Sequence, residues 1–227
     1  GSVGPVIRTS PRIAVFALVA LVVLAVRPLW AATIKIDYSY DSNNFFPVGS
    51  QARATVEAVA TFYSNILNDS LSAIQTPDTF MGTLGGKVVW NWTRTFVNPS
   101  TGLGESENNI TIPANEFTII VGARNISALG SGGPGGHSLT GNATGSFTAA
   151  EQQNWMNIHN QFVSAVEMRG QASGFARWGG VFTVDNMLGT GLSWHLNHTT
   201  PPPANTIDLY SVALHEIGHA LGFGNIS

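Results

Sequence analysis

The pattern of apolar and polar positions changes several times along the chain, and each change predicts a new element. Thr33 to Tyr38 (TIKIDY) alternates Ile34, Ile36 and Tyr38 with Lys35 and Asp37, the period-two signature of a strand with one buried face. From Ser50 to Leu67 the spacing becomes helical. Ala52, Val56, Val59, Tyr63 and Ile66 recur at steps of four and three, and Ser50 is available as N-cap. Lys87 to Val97 (KVVWNWTRTFV), Glu116 to Ala123 (EFTIIVGA) and Gly180 to Asp185 (GVFTVD) are rich in β-branched and aromatic residues and read as strands. Thr148 and Glu151 form a capping box that opens a helix to about Met168, with Trp155, Ile158, Phe162 and Val166 on one face and Gly170 just past its end. A last apolar helix begins near Thr206, with Thr206 or Asn205 as its cap. The order strand, helix, strands, helix, strand, helix predicts an α/β (α+β) domain in which a mixed β-sheet packs on helices.

One apolar stretch fits none of these periods. Ile13 to Val26 contains no polar residue, follows Arg8 and Arg12, and leads to Ala31-Ala32. Fourteen residues at about 1.5 Å each fall short of a bilayer core of roughly 30 Å, so the stretch reads as the h-region of a signal peptide spanning residues 1–32. The expected mature domain, 33–227, is then secreted and no longer tied to a membrane. Loss of Arg8, Arg12 and Arg27 takes the formal charge from -3 to -6, seven basic residues against thirteen acidic. There is no Met at position 1, and the chain stops soon after its last motif. We therefore expect the N-terminal part of a longer domain.

Composition narrows the chemistry. With ten Lys and Arg against thirteen Asp and Glu and no basic run, nothing suits a row of phosphates, so no nucleic-acid partner is expected. Zero Cys excludes disulfides, thiol catalysis and Cys-type zinc sites. Gly130, Gly132 and Gly135, in the glycine-rich loop expected over Ala128 to His137, satisfy the dinucleotide spacing G-x-G-x-x-G. Pro134 interrupts it and no helix follows, so no nucleotide site is expected.

The informative motif is His215-Glu216-Ile217-Gly218-His219. On a helix, residues four apart share a face, so both imidazoles can reach one metal ion. Glu216 is rotated by about 100° from His215, beside the ion, where a carboxylate can act as general base toward a water. Gly222 is placed to end the helix in a left-handed conformation. His137, His195 and His198 read as exposed loop histidines, and His159 as a surface residue.

The stretch SVALHEIGHALGFG resembles the active-site helix of metzincin zinc endopeptidases, and most of all the matrixin-like secreted members. The resemblance is strong from Asp208 to Gly224, weaker from Glu116 to Asp185, and limited to element order before that. It implies one catalytic zinc held by His215 and His219, Glu216 as general base, a polypeptide substrate, and a chain turn at Gly222 that brings in a third ligand. It also implies that Ala128 to Gly133 lies near an edge strand along which an extended substrate pairs. Neither a structural calcium nor a second zinc is indicated. The family pattern puts the third ligand at position 225, which is Asn225, and an amide oxygen is a poor zinc ligand. Three readings stay open: a ligand beyond Ser227, weak binding by Asn225, or a degenerate site. All four Met residues precede the motif, so the family's methionine turn is not seen. The expected function is a secreted zinc metalloendopeptidase. The alternative is a non-catalytic extracellular binding protein on a degenerate metzincin-like scaffold.

Overall fold

The computed structural model of the chain describes residue 1 and residues 32–169 and 177–224. Residues 2–31 of the expected signal peptide, Gly170 and Asn225 lie outside the described residues. The first strand, β1 (Thr33–Asp37), leads into helix α1 (Gln51–Ile66), whose cap Ser50 accepts a hydrogen bond from the Arg53 backbone N–H. β2 (Phe80–Met81), β3 (Lys87–Val97) and β4 (Gly104–Asn108) follow, then β5 (Glu116–Arg124), β6 (Gly130–Pro134) and β7 (Gly136–Thr144). Helix α2 (Ala149–Glu167), β8 (Gly179–Asp185), the short β9 (Ser193–His195) and β10 (Thr206–Asp208), and helix α3 (Leu209–Ala220) complete the order. The mixed α/β architecture is therefore as expected.

Two sheets make up most of it. The first has the order β1-β5-β8-β6; β1, β5 and β8 run parallel, and β6 closes the edge antiparallel to β8. The second is built on β3, which pairs antiparallel with β7 along Lys87 to Thr95 and with β2 and β4 on its other side. On one face of the first sheet, α1 and α3 bury Val56, Val59, Leu209, Ala213 and Ile217 against Phe117, Ile119, Val121 and Phe182. On the other face, Val88, Trp90, Trp92 and Phe96 of β3 pack with Ile120, Trp178 and the apolar side of α2. Trp92 is fully buried, and its indole N–H donates to the Ile110 carbonyl at 2.7 Å, satisfying the polar atom that burial of a Trp brings with it.

The expected glycine loop is a correction. Residues 130–134 and 136–144 are the strands β6 and β7. Neither shows apolar alternation, because β7 is largely exposed and β6 is held by close packing. His137 is likewise not a loop residue: it lies on β7 with its side chain only 7% exposed. Burial first, then the Arg177 charge, lowers its pKa, while Glu167 acts the other way.

The capping box at α2 forms as expected, with Thr148 Oγ accepting from the Glu151 N–H and Glu151 accepting from the Thr148 N–H at 2.8 Å. Glu151 also accepts from the backbone N–H and the hydroxyl of Thr83, both at 2.7 Å. These bonds, the Thr83 backbone first, hold its carboxyl down at about 2. A depressed carboxyl pKa contributes stability that is fully present above the unfolded value, 4.5, and is lost as pH falls toward 2. We expect the melting temperature of the parent to fall more steeply than that of Glu151→Gln over that window. Parallel curves would show that the cap carries no such linkage.

Candidate metal centre

Helix α3 starts later than its sequence suggests. Thr206 belongs to β10, and Asp208 is the N-cap, accepting from the Ser211 backbone N–H at 3.1 Å. An acidic cap suits the positive end of the helix. Leu209, Ala213, Ile217 and Ala220 recur at helical spacing and bury against the sheet and α1, which leaves His215 exposed and Glu216 and His219 half-buried.

The helix ends as the motif requires. Gly222 has φ +89°, its N–H donates to the His219 carbonyl, and the Phe223 N–H donates to the Gly218 carbonyl at 2.9 Å. This 6→1 and 5→2 pair is a Schellman turn. It delivers the Phe223 carbonyl to His219, whose Nδ1 lies 3.0 Å from that oxygen. The carbonyl can only accept, so Nδ1 carries the proton, and in the neutral ring Nε2 is left with a free lone pair. That nitrogen stands 3.0 Å from Nε2 of His215, with the two rings nearly perpendicular at 86°.

Two bare ring nitrogens at this separation repel unless a proton or a cation lies between them. Nitrogens bound to one tetrahedral zinc at about 2.0–2.1 Å stand roughly 3.3 Å apart, so the pair fits such an ion with little adjustment. Among the described residues, no group of three or more His, Cys, Asp or Glu converges on a common point.

Glu216 lies on the β6 side of the pair. A β-carbon at Gly130 would stand 3.0 Å from Glu216 Cγ, and one at Gly132 would stand 1.9 Å from the Glu216 carbonyl oxygen. The helix therefore rests directly on the edge strand, which explains Gly130 and Gly132 of the dinucleotide-like spacing, while the third, Gly135, lies against the Trp178 ring. On the opposite side, a cleft of about 490 Å³ is lined by Tyr63, Leu214, Phe223 and both histidines. Tyr63 was visible in the sequence only as an apolar position of α1. Its hydroxyl donates to the Leu214 carbonyl at 2.7 Å, and its ring stacks on Phe223 at 6.2 Å. A β-carbon at Gly218 would come within 2.9 Å of that hydroxyl, so the small residue inside the motif admits the tyrosine. Burial first, and then Tyr210, raises the Tyr63 pKa. Tyr63→Phe should cost about 1 kcal/mol in urea unfolding, the usual net worth of one such bond. An unchanged midpoint would show the contact to be idle.

The other histidines stand apart from this pair. His195 lies on β9, not in a loop, with Nε2 2.9 Å from the Thr200 carbonyl. His198, exposed as expected, has Nδ1 3.1 Å from the Thr55 hydroxyl and stacks on Tyr210. His159 is half-buried rather than a free surface residue, and Nε2 lies 3.1 Å from the Leu139 carbonyl. His195, His198 and His159 thus each have a local structural partner.

No protein-family model, curated protein or solved structure matches this chain.

Proposed function

We propose that the chain is a zinc-dependent peptide hydrolase of metzincin-like fold, exported from the cell and acting on polypeptides. The observation that carries this reading is the 3.0 Å approach of the His215 and His219 Nε2 atoms, with His219 oriented by the Phe223 carbonyl. A hydrogen bond to the far nitrogen of a liganding imidazole fixes its tautomer and orientation, the usual second layer of a metal site. When bound, the ion supplies Lewis-acid polarisation of a carbonyl and of water.

The chain's own groups supply the rest. His215 and His219 present neutral nitrogens. Glu216 accepts a proton from the attacking water and passes it to the departing amine nitrogen, and no covalent acyl-enzyme forms. Among the described residues the outer edge of β6, beside α3, pairs with no strand, and it suits an extended peptide, which would add as a further strand. A third protein ligand is expected from residue 225 or beyond, since catalytic zinc sites usually use three.

The test is metal content by plasma mass spectrometry together with cleavage of an unstructured polypeptide, before and after chelation. Stoichiometric zinc and cleavage abolished by the chelator are expected. Protein that purifies without metal would favour the non-catalytic binding scaffold, and chelator-resistant cleavage would remove the metal from the mechanism.

A further inference from the structure

A second cavity lies away from the histidine pair. It has a volume of about 670 Å³ and lies on the face of β6 and β8 turned away from α3, under the ends of β3 and β4. Register places it there. Gly130 and Gly132 face α3, so Ser131 and its neighbour Thr183 on β8 face the other way. The volume falls in the range of small-ligand sites, about 300–1,000 Å³, and exceeds what a single amino acid fills.

Two opposite charges sit on its wall without meeting. Neither Arg124 nor Glu105 takes part in an ion pair among the described residues. The Arg124 side chain makes no hydrogen bond there, and its Nε is buried without a partner. A desolvated guanidinium donor left unpaired costs free energy, and a carboxylate is the acceptor that matches its planar fork. Glu105 accepts one bond, from the Asn98 side-chain amide at 3.0 Å, on one of its two oxygens. Its other oxygen is left for a cationic donor. Phe96, Val181 and Pro134 add apolar surface to the lining, and Thr95 and Thr183 bring hydroxyl groups of the kind that suit a peptide group.

We propose that this cavity binds a short peptide of two or three apolar residues with free termini, its carboxylate at Arg124 and its ammonium group at Glu105. The site uses neither the histidine pair nor Glu216, so it stands apart from the metal chemistry. If the chain is a peptidase, the ligand belongs to its product class.

The experiment is isothermal titration of the chain, in chelator, with dileucine, N-acetyl-dileucine, dileucine amide and the doubly blocked form. Each block should weaken binding about tenfold, the scale of one lost charge-assisted hydrogen bond. Arg124→Gln should erase the penalty of amidation and keep that of acetylation, and Glu105→Gln should do the reverse. Both variants should bind the doubly blocked form as the parent does, which also reports their folding. Where Arg124→Gln fails to fold, Arg124→Lys keeps the charge without the fork and should show a reduced amidation penalty. Equal affinity for free and doubly blocked dileucine, no binding at millimolar ligand, or penalties that persist in the matching variant would each overturn the proposal. Binding is read without cleavage, so a chain that proves inactive leaves this result interpretable.

Discussion

If the chain is the zinc peptidase proposed above, Glu216→Gln is expected to bind zinc as the parent does and to lose proteolysis by about 10²–10⁴-fold in kcat/KM, the range for removing a positioned general base. The substitution is nearly isosteric, and Gln and Glu have similar helix propensity, so α3 should stand unchanged. The carboxylate is half-buried and makes no hydrogen bond among the described residues, so no packing partner is lost with it. Metal retention is the control that separates chemistry from binding: His215 and His219 still present their nitrogens 3.0 Å apart. His215→Ala should behave in the opposite way and lose metal first. Cleavage by Glu216→Gln within tenfold of the parent would assign the proton transfer to another group.

The second large effect is structural. In Gly132→Ala the new methyl carbon would lie 1.9 Å from the Glu216 carbonyl oxygen and 2.5 Å from its carbonyl carbon. Both are backbone atoms and cannot rotate away, so either α3 lifts or β6 shifts. Overpacking costs about 1–3 kcal/mol where side chains can adjust, and this contact leaves them no way to do so. For a domain of this size, that scale lowers the melting temperature by roughly 3–10 °C. The displaced helix carries the motif, so zinc affinity should fall with stability. The matched control is Gly133→Ala on the same strand, where a β-carbon meets nothing within 4 Å and the expected change is within about 0.5 kcal/mol. Equal melting temperatures for the two variants would mean that β6 and α3 are not in contact in solution.

Legibility in the sequence followed burial. β1, β3, β5 and β8 carry apolar residues to a core on one face or both, and their boundaries were readable to within a residue or so. The helices α1 and α2 announced themselves by spacing and by Ser50 and Thr148. β4, with the sequence GESEN, and β7, GHSLTGNAT, were not readable, because their strand form comes from pairing with β3 while most of their side chains face water. β6 misled for another reason: Gly130 and Gly132 answer to a helix about eighty residues further on, a constraint that no local pattern records. Within the site, the identity and spacing of His215, Glu216 and His219 were plain. The acceptor that orients His219 was not, because it is a backbone carbonyl, whose partners do not depend on residue type. The sequence points to Asn205 or Thr206 as the cap of α3 rather than Asp208, since the pairing of β10 with β9 up to Asp208 is non-local.

β5 has seven consecutive buried residues, and they divide between the two cores. Phe117, Ile119, Val121 and Ala123 face α1 and α3, and Ile120 faces the layer of β3 and α2. Its amide protons should therefore be the last to exchange with deuterated solvent, because both layers must open before the strand is exposed. The turn after α3 is bounded by one layer only, so it can open and close many times while the central strand stays protected. On the proposed function, a ligand at the histidine pair can then exchange on the time scale of local opening, without the chain approaching global unfolding.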